Sequence, residues 1–417
     1  MTEPTTITTT VCVVGGGPAG AMLGLLLARA GIDVVVLEKH ADFLRDYRGD
    51  TIHPSTLEVL DELGLSRRFH EIPHSKVETI RFVQDGRAVD FADFRRLKLR
   101  FPYIAFVPQW DFLDLITGEA RRYPQFRLLM RTPATDVLRD GGRVTGVRVR
   151  SPQGEATVRA ALTVAADGRH SVLRAAAGLR PRQYGVPMDV ILFRISRRPD
   201  DPDEGLSVRI GNGRVMGAIR RTDYWQVSYE VPKGGYEALR RQGIDRLRAD
   251  LAELVPFLAD RAGELRGFED TNLLDVRIDR MPRWYHPGLL FIGDAAHAMS
   301  PVGGFGVNLA VQDAVAAANL LAGPLQRYQA DGTPFDRAAA AVQRRRQVAT
   351  VITQALQRVT QRLGTKRALA GDAVLRGPDP SAFYHRIPFL QRIMSRMTAV
   401  GFQPEHVRSP AAVAAED

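Results

Sequence analysis

The apolar positions of this chain fall into three patterns. In the first, an apolar run of strand length breaks at glycines and small polar residues, and an apolar helical run follows at once. "TVCVVGGGPAGAMLGLLLARAGIDVVVLEKH" is the fullest example: a buried strand at 11–14, a helix at roughly 19–30, Gly31, then a second strand at 34–37. "ALTVAADGRHSVLRAAAG" repeats the pattern with a strand at 161–165 and a helix from about Ser171, and "FIGDAAHAMSPVGGFGVNLAVQDA" (291–314) repeats it again. The second pattern is strict alternation with β-branched residues and Gly turns, at 77–90 and 189–231, which predicts an antiparallel sheet. The third is helical periodicity beyond Phe335, with an Arg344–Arg345–Arg346 run expected on a solvated face and Pro/Gly breaks in the last ninety or so residues.

These patterns predict an α/β protein. A Rossmann-like dinucleotide-binding domain is expected from 8–75, 100–180 and 275–330, with an antiparallel-sheet domain for the substrate inserted at 76–99 and 181–274. Residues 331–417 are expected to form a helical C-terminal region. The length of 417 residues exceeds what one hydrophobic core usually serves, which fits two joined domains.

Composition narrows the class without naming a function. The chain is 45% hydrophobic and 25% charged, as globular proteins are. No apolar run is read as reaching the roughly 18 residues that span a bilayer, so no membrane contact is expected. "MTEPTTITTT" lacks a basic stretch followed by an apolar one, so no signal peptide is expected and a cytoplasmic location follows. The single cysteine, Cys12, excludes an internal disulfide and a cysteine metal cluster, and no metal is expected. The formal charge of +10 comes mostly from scattered arginines. No nucleic-acid motif accompanies them, so no nucleic-acid partner is expected.

The chemistry sits at the glycine breaks. Gly15, Gly17 and Gly20 fit G-x-G-x-x-G between a strand and a helix. The first glycine permits a tight turn, the second lets backbone approach a pyrophosphate, and the third lets helix and strand pack closely. Pro18 and Ala19 open the helix. Glu38, followed by Lys39, ends the second strand where an acid can bind a ribose. This fingerprint serves NAD and FAD alike.

The order G-x-G-x-x-G, then D-G-x-x-S-x-x-R at Asp167–Gly168–Arg174, then G-D-A-A-H-x-x-x-P-x-x-G-x-G-x-N at 293–308, resembles the single-component FAD-dependent aromatic hydroxylases, the para-hydroxybenzoate hydroxylase-like and ubiquinone-hydroxylase-like monooxygenases. The resemblance runs from about Thr8 past Asp313. It implies a GR2-type FAD-binding domain in which Asp294 bonds the ribityl chain. It also implies that the loop with Pro301 and Gly304 passes beside the flavin ring, and that N–H groups of Gly306, Val307 and Asn308 stabilise the reduced anion at a helix N-terminus. Asp167, Gly168 and Arg174 carry over as residues shared between FAD and NAD(P)H, with His170 where the family often has cysteine. Arg48 is implied to hold the FAD phosphate or ribityl chain, and Gln109 the ribityl chain. His297 is expected only to pack beside the cofactor.

The family's reaction needs no lone side-chain base. NADPH or NADH reduces FAD, O2 adds to give a flavin C4a-hydroperoxide, and an aromatic, quinone-like or polyketide-type small molecule is hydroxylated or epoxidised. The protein supplies orientation and dryness. The sheet contributes the pocket, with Met216, Arg220, Tyr224, Trp225, Gln226 and Tyr229 as candidates, of which alternate residues must point away. A monomer or homodimer is expected. Rival readings are a flavin-dependent halogenase or prenyl-chain reductase on the same fold, and a non-catalytic flavoprotein. Trp110, Trp225 and Trp284 are isolated, so the halogenase signature W-x-W-x-I-P is absent.

Overall fold

The structure is a computed structural model and describes residues 5–44, 50–84, 87–370 and 388–411. Five parallel strands form its central sheet, in the order Leu289–Phe291, Gly154–Ala165, Thr5–Val14, Val34–Leu37, Phe126–Leu129. Their register is level at one edge. Val14 pairs with Ala165 and Leu37, Ala165 with Phe291, and Leu37 with Leu129. The three glycine breaks, though far apart in sequence, therefore leave the sheet side by side at its carboxyl edge, where ligands of open α/β sheets bind.

Valine-rich strands form here because both faces are covered. Val11, Val13, Val34, Val36 and Val164 pack under the Pro18–Arg29, Gln109–Ala120 and Phe305–Asp331 helices. Cys12, Val35 and Leu37 face the hairpin at Ala134–Asp140 and Arg143–Ser151. Burial pushes the Cys12 thiol up to about 12, so it is an inert core residue. The Phe305–Asp331 helix is long and apolar enough to cross a membrane, contrary to the expectation of no such run, but 78% of that window is buried inside the protein. Its apolarity reflects a core position.

A second sheet of seven strands runs Asn272–Leu274, Met188–Ser196, Tyr224–Pro232, Arg214–Arg220, Leu206–Gly211, Thr79–Gln84, Arg87–Asp93. One face packs on the Tyr236–Gln242 and Ile244–Leu254 helices through Phe193, Met216, Trp225 and Val227. The other face turns toward the loop that follows Phe291: Val302 packs against Val190 and Leu192.

The Asp336–Thr360 helix differs from its sequence reading. Arg344 and Arg345 are exposed, but Arg346 is 1% exposed. A helical repeat carries successive arginines to different faces, and this one meets buried acids. The Pro388–Val400 helix lies along the edge strand Arg87–Asp93, where Ser395 Oγ accepts from the Asp93 amide at 3.0 Å.

Candidate active site

At the carboxyl edge the first break is built by close approach. Gly15 has φ 109°, and a Cβ there would overlap the Ala166 carbonyl; a Cβ at Gly20 would overlap the Gly15 carbonyl. At Gly17 a Cβ would meet nothing within 4 Å. Gly17 is thus the glycine whose missing side chain leaves room for a ligand. Pro18 follows at the first helical position, and the first intrahelical bond runs from Ala21 to the Gly17 carbonyl at 2.8 Å. The N–H groups of Ala19 and Gly20 therefore remain for an anion. Glu38 stands beside them, with Oε2 accepting from Gly16 N and Oε1 from His40 N, both at 3.0 Å. Each oxygen keeps a lone pair for a hydroxyl. Lys39 is exposed.

The second break is largely held by the protein itself. Asp167 Oδ2 accepts from Leu173 N at 3.2 Å while Oδ1 is enclosed without a partner among the described residues. Burial lifts its pKa above the usual carboxylate range, against hydrogen bonds from Ser171 and nearby backbone. Gly168, with φ 82°, has open space where a Cβ would point. Arg174 is not open to a ligand. It is buried, with Nη1 3.3 Å from Asp279 Oδ1 and Nη2 on the Arg169 carbonyl. Asp294, in the third break, lies 3.3 Å from Arg169 Nη2 and stays partly exposed.

Residues 301–306 form an accessible ribbon between buried neighbours: Met299 and Ser300 before it and Val307 and Asn308 after it are buried, while Pro301, Gly304 and Gly306 are not. Gly304 needs its glycine, since at φ 66° its Cβ would overlap Thr51. At Gly306 a Cβ would meet open space. Asn308 is tied down by its side chain. The helix begins at Phe305, and the Asn308 side chain is held by the protein itself, its Oδ1 accepting from Ser55 and Thr56. Phe305, Gly306 and Val307 stand in the first turn of the helix, where amides have no intrahelical acceptor. Gln109 is half-buried at the first turn of its helix, and Arg48 lies outside the described residues.

Four sheet candidates point the wrong way. The ladder pairs Arg220 with Trp225 and Met216 with Tyr229, and these positions share the face that packs on helices. Met216, Trp225 and Tyr229 are core residues there; Arg220 carries that face's register to the sheet margin, where it pairs with Asp203. Tyr224 and Gln226 lie on the face turned to the loop, where Gln226 Oε1 accepts from Arg221 Nη1 at 3.2 Å. The pleat decides this, and sequence alternation alone cannot say which set faces inward.

Several residues that hold the loop carry no motif. Gln354, Gln357 and Gln361 follow one stripe of the Asp336–Thr360 helix and its continuation. Gln357 Nε2 donates to the Ser300 and Val302 carbonyls at 2.9 and 3.0 Å while its Oε1 accepts from Ser300 N at 3.2 Å, pinning both sides of Pro301. Gln361 Nε2 donates to Ser300 Oγ at 2.6 Å, and Gln354 to the Ala298 carbonyl at 3.1 Å. On the other side, Thr51 Oγ1 donates to the Gly304 carbonyl at 3.0 Å. His53 Nδ1 donates to Thr398 O at 2.7 Å, and burial pushes this histidine down to about 4, leaving it neutral.

His297 does more than pack. Its Nε2 is 2.6 Å from Asp313 Oδ2, which also accepts from Gly293 N at 3.0 Å; Asp313 Oδ1 meets Arg346 Nε at 3.1 Å, and Arg346 continues to Glu405 at 3.3 Å. Burial works to raise the Asp313 carboxyl, but His297 and Arg346 hold it below its usual range. This network fixes the turn that presents Asp294.

Glu230 also escaped sequence reasoning. It shares the loop-facing register with Val190 and Val215. Burial pushes it up to about 7, opposed by a hydrogen bond from Thr365, and Oε2 is enclosed without a partner among the described residues. The folded state thus holds this proton to a higher pH than the unfolded chain does, so stability falls as pH rises from about 4.5 through 7 and levels off above. Glu230→Gln is expected to remove that fall, a gain on the order of 2 to 3 kcal/mol at pH 8. Melting curves should show the variant about 2–3 °C higher at pH 8 and level with wild type near pH 4. Equal melting at pH 8 would refute the buried proton.

Residues 8–355 match the family described as FAD binding domain. The chain is 32% identical over 402 residues to 6-methylpretetramide 4-monooxygenase of Streptomyces rimosus, covering 96% of this chain and 94% of that one. The chain belongs to the FAD-dependent aromatic monooxygenases. Solved structures confirm the architecture. p-Nitrophenol 4-monooxygenase from Pseudomonas putida superposes with a TM-score of 0.75 at 21% identity, covering 96% of this monooxygenase and 99% of that chain. The flavin-dependent brominase Bmp2 reaches 0.73 at 17% identity over 95% and 94% of the two chains. Hydroxylating and halogenating proteins share the scaffold, so the fold does not choose the reaction. The open approaches at Gly17, Gly168 and Gly306 and the free amides at two helix starts fit an extended dinucleotide such as FAD.

Proposed function

We propose that this monooxygenase takes electrons from NADPH or NADH and uses O2 to hydroxylate an aromatic or polyketide-type small molecule. The observation that supports it is the level edge: three glycine breaks leave the parallel sheet side by side, and the third runs on into a loop whose Val302 packs on the antiparallel sheet. FAD, when bound, supplies the redox and oxygen chemistry. The chain's own part is to hold and shield. The Gly17–Gly20 turn and Glu38 take the nucleotide half, and Asp294 the ribityl chain. The amides of Gly306 and Val307 offset negative charge on the ring. Val190, Leu192, Tyr224 and Gln226 offer an apolar wall with few polar groups for a planar substrate. A relative that acts on a tetracyclic polyketide supports that class.

The test is oxygen uptake by the FAD-loaded protein with NADPH or NADH and a panel of phenols and polycyclic aromatic polyketides. Consumption of nicotinamide and O2 that rises with substrate, with hydroxylated product, is expected. Activity only when a separate reductase supplies reduced flavin would instead favour a halogenase-type partnership.

A further inference from the structure

A cleft of about 510 Å³ opens between the segment 70–76 and the turn at Arg221–Thr222. Lys76, Arg197, Arg220 and Arg221 line it, against the single carboxylate of Glu71. The fold neutralises two of these cations, Arg221 with Asp50 and Arg220 with Asp203, and Glu71 faces Arg67 at 4.0 Å. Lys76 and Arg197 have no carboxylate partner among the described residues. Lys76 Nζ rests 4.7 Å from the Tyr103 ring centroid, and Arg197 Nη1 donates to the Thr222 carbonyl at 3.0 Å. Two further nitrogens of the same wall, Arg197 Nε and Arg220 Nε, are enclosed without a hydrogen-bond partner among the described residues. Folding seldom leaves enclosed nitrogens unpaired or gathers like charges without an anion to offset them. A ligand with several phosphate oxygens would offset the charge that Lys76 and Arg197 bring to the cleft.

We propose that this cleft docks the phosphate groups of the nicotinamide dinucleotide that reduces the flavin, with the 2′-phosphate of NADPH favoured over NADH. The proposal rests on the NAD(P)H reading above. The cleft is connected to the flavin loop: Arg221 binds Asp50, and the next residue, Thr51, donates to the Gly304 carbonyl at 3.0 Å. A phosphate that draws on the Arg221 guanidinium competes with Asp50, so occupancy of the cleft bears on the strand that anchors the loop.

The test uses the FAD-loaded protein and its Lys76→Ala, Arg197→Ala and Lys76→Glu variants. Calorimetry measures binding of NADPH, NADH, 2′,5′-ADP and inorganic phosphate, and anaerobic stopped flow measures flavin reduction. Each alanine variant should weaken NADPH and 2′,5′-ADP about tenfold, and Lys76→Glu more, with flavin content unchanged. Wild type should bind NADPH more tightly than NADH. If Lys76→Glu binds and is reduced as wild type is, the cleft is not the docking site and the monooxygenase reading stands. If inorganic phosphate binds while the nucleotides do not, the cleft is a simple anion site and the proposal falls. If neither nicotinamide reduces wild type, the reductant reading itself fails.

Discussion

Gly17→Val should yield a folded protein that no longer retains FAD. Gly17 adopts φ −71° and ψ −175°, a conformation open to any L-residue, and its Cβ direction meets no protein atom within 4 Å. The valine therefore costs the apoprotein little. It fills the space through which a pyrophosphate must approach the Ala19 and Gly20 amides. Overpacking of about 3 kcal/mol against a bound ligand corresponds to roughly a hundredfold loss of affinity, enough to strip flavin during purification. Gly20→Ala makes the contrast. Its methyl group would overlap the Gly15 carbonyl, so that variant should fail to fold rather than merely lose flavin. Absorbance of the purified protein near 450 nm and its apoprotein melting temperature separate the two outcomes. Full flavin occupancy in Gly17→Val would overturn the assignment of this turn to the cofactor.

Asp313→Ala should be the most destabilising single change outside the glycines. Asp313 is fully buried and receives Gly293 N, His297 and Arg346. Removing it leaves Arg346 with Glu405 and the Gln403 carbonyl, a histidine without its acceptor and an orphaned amide at the turn before Asp294. Breaking a buried pair from one side costs about 3–5 kcal/mol, which for a chain of this size lowers Tm by roughly 5 °C. FAD retention should fall with it, because Gly293 holds a positive φ of 58° that the carboxylate pins. Asp313→Asn keeps an acceptor but not the charge, so it should lie between. A Tm within about 1 °C of wild type in Asp313→Ala, with full flavin content, would show the network to be ornamental.

Which parts could be read without coordinates follows from the range of the forces involved. The βαβ unit at the N-terminus is local. A valine run, a glycine turn and an apolar helix specify one another within thirty residues, and the chemistry of G-x-G-x-x-G needs only backbone. The second and third breaks are equally local, and their order carried the resemblance to the monooxygenase family. The alternating stretches at 77–90 and 189–231 announced an antiparallel sheet for the same reason, since a period of two is written in neighbouring residues.

What the tertiary structure alone decided is everything that depends on which face meets what. Register, not alternation, turned Met216, Arg220, Trp225 and Tyr229 to the helix side and left Tyr224 and Gln226 facing the loop. The helical phase of a polar segment buried Arg346 and aligned Gln354, Gln357 and Gln361 along the backbone of residues 298–302. In sequence these are surface-type residues, and only a partner from a distant part of the chain makes them interior ones. Backbone-dependent features are written locally because each residue limits its own φ and ψ. Side-chain partnerships are not, because burying a polar group becomes favourable only when another element brings the atoms that satisfy it.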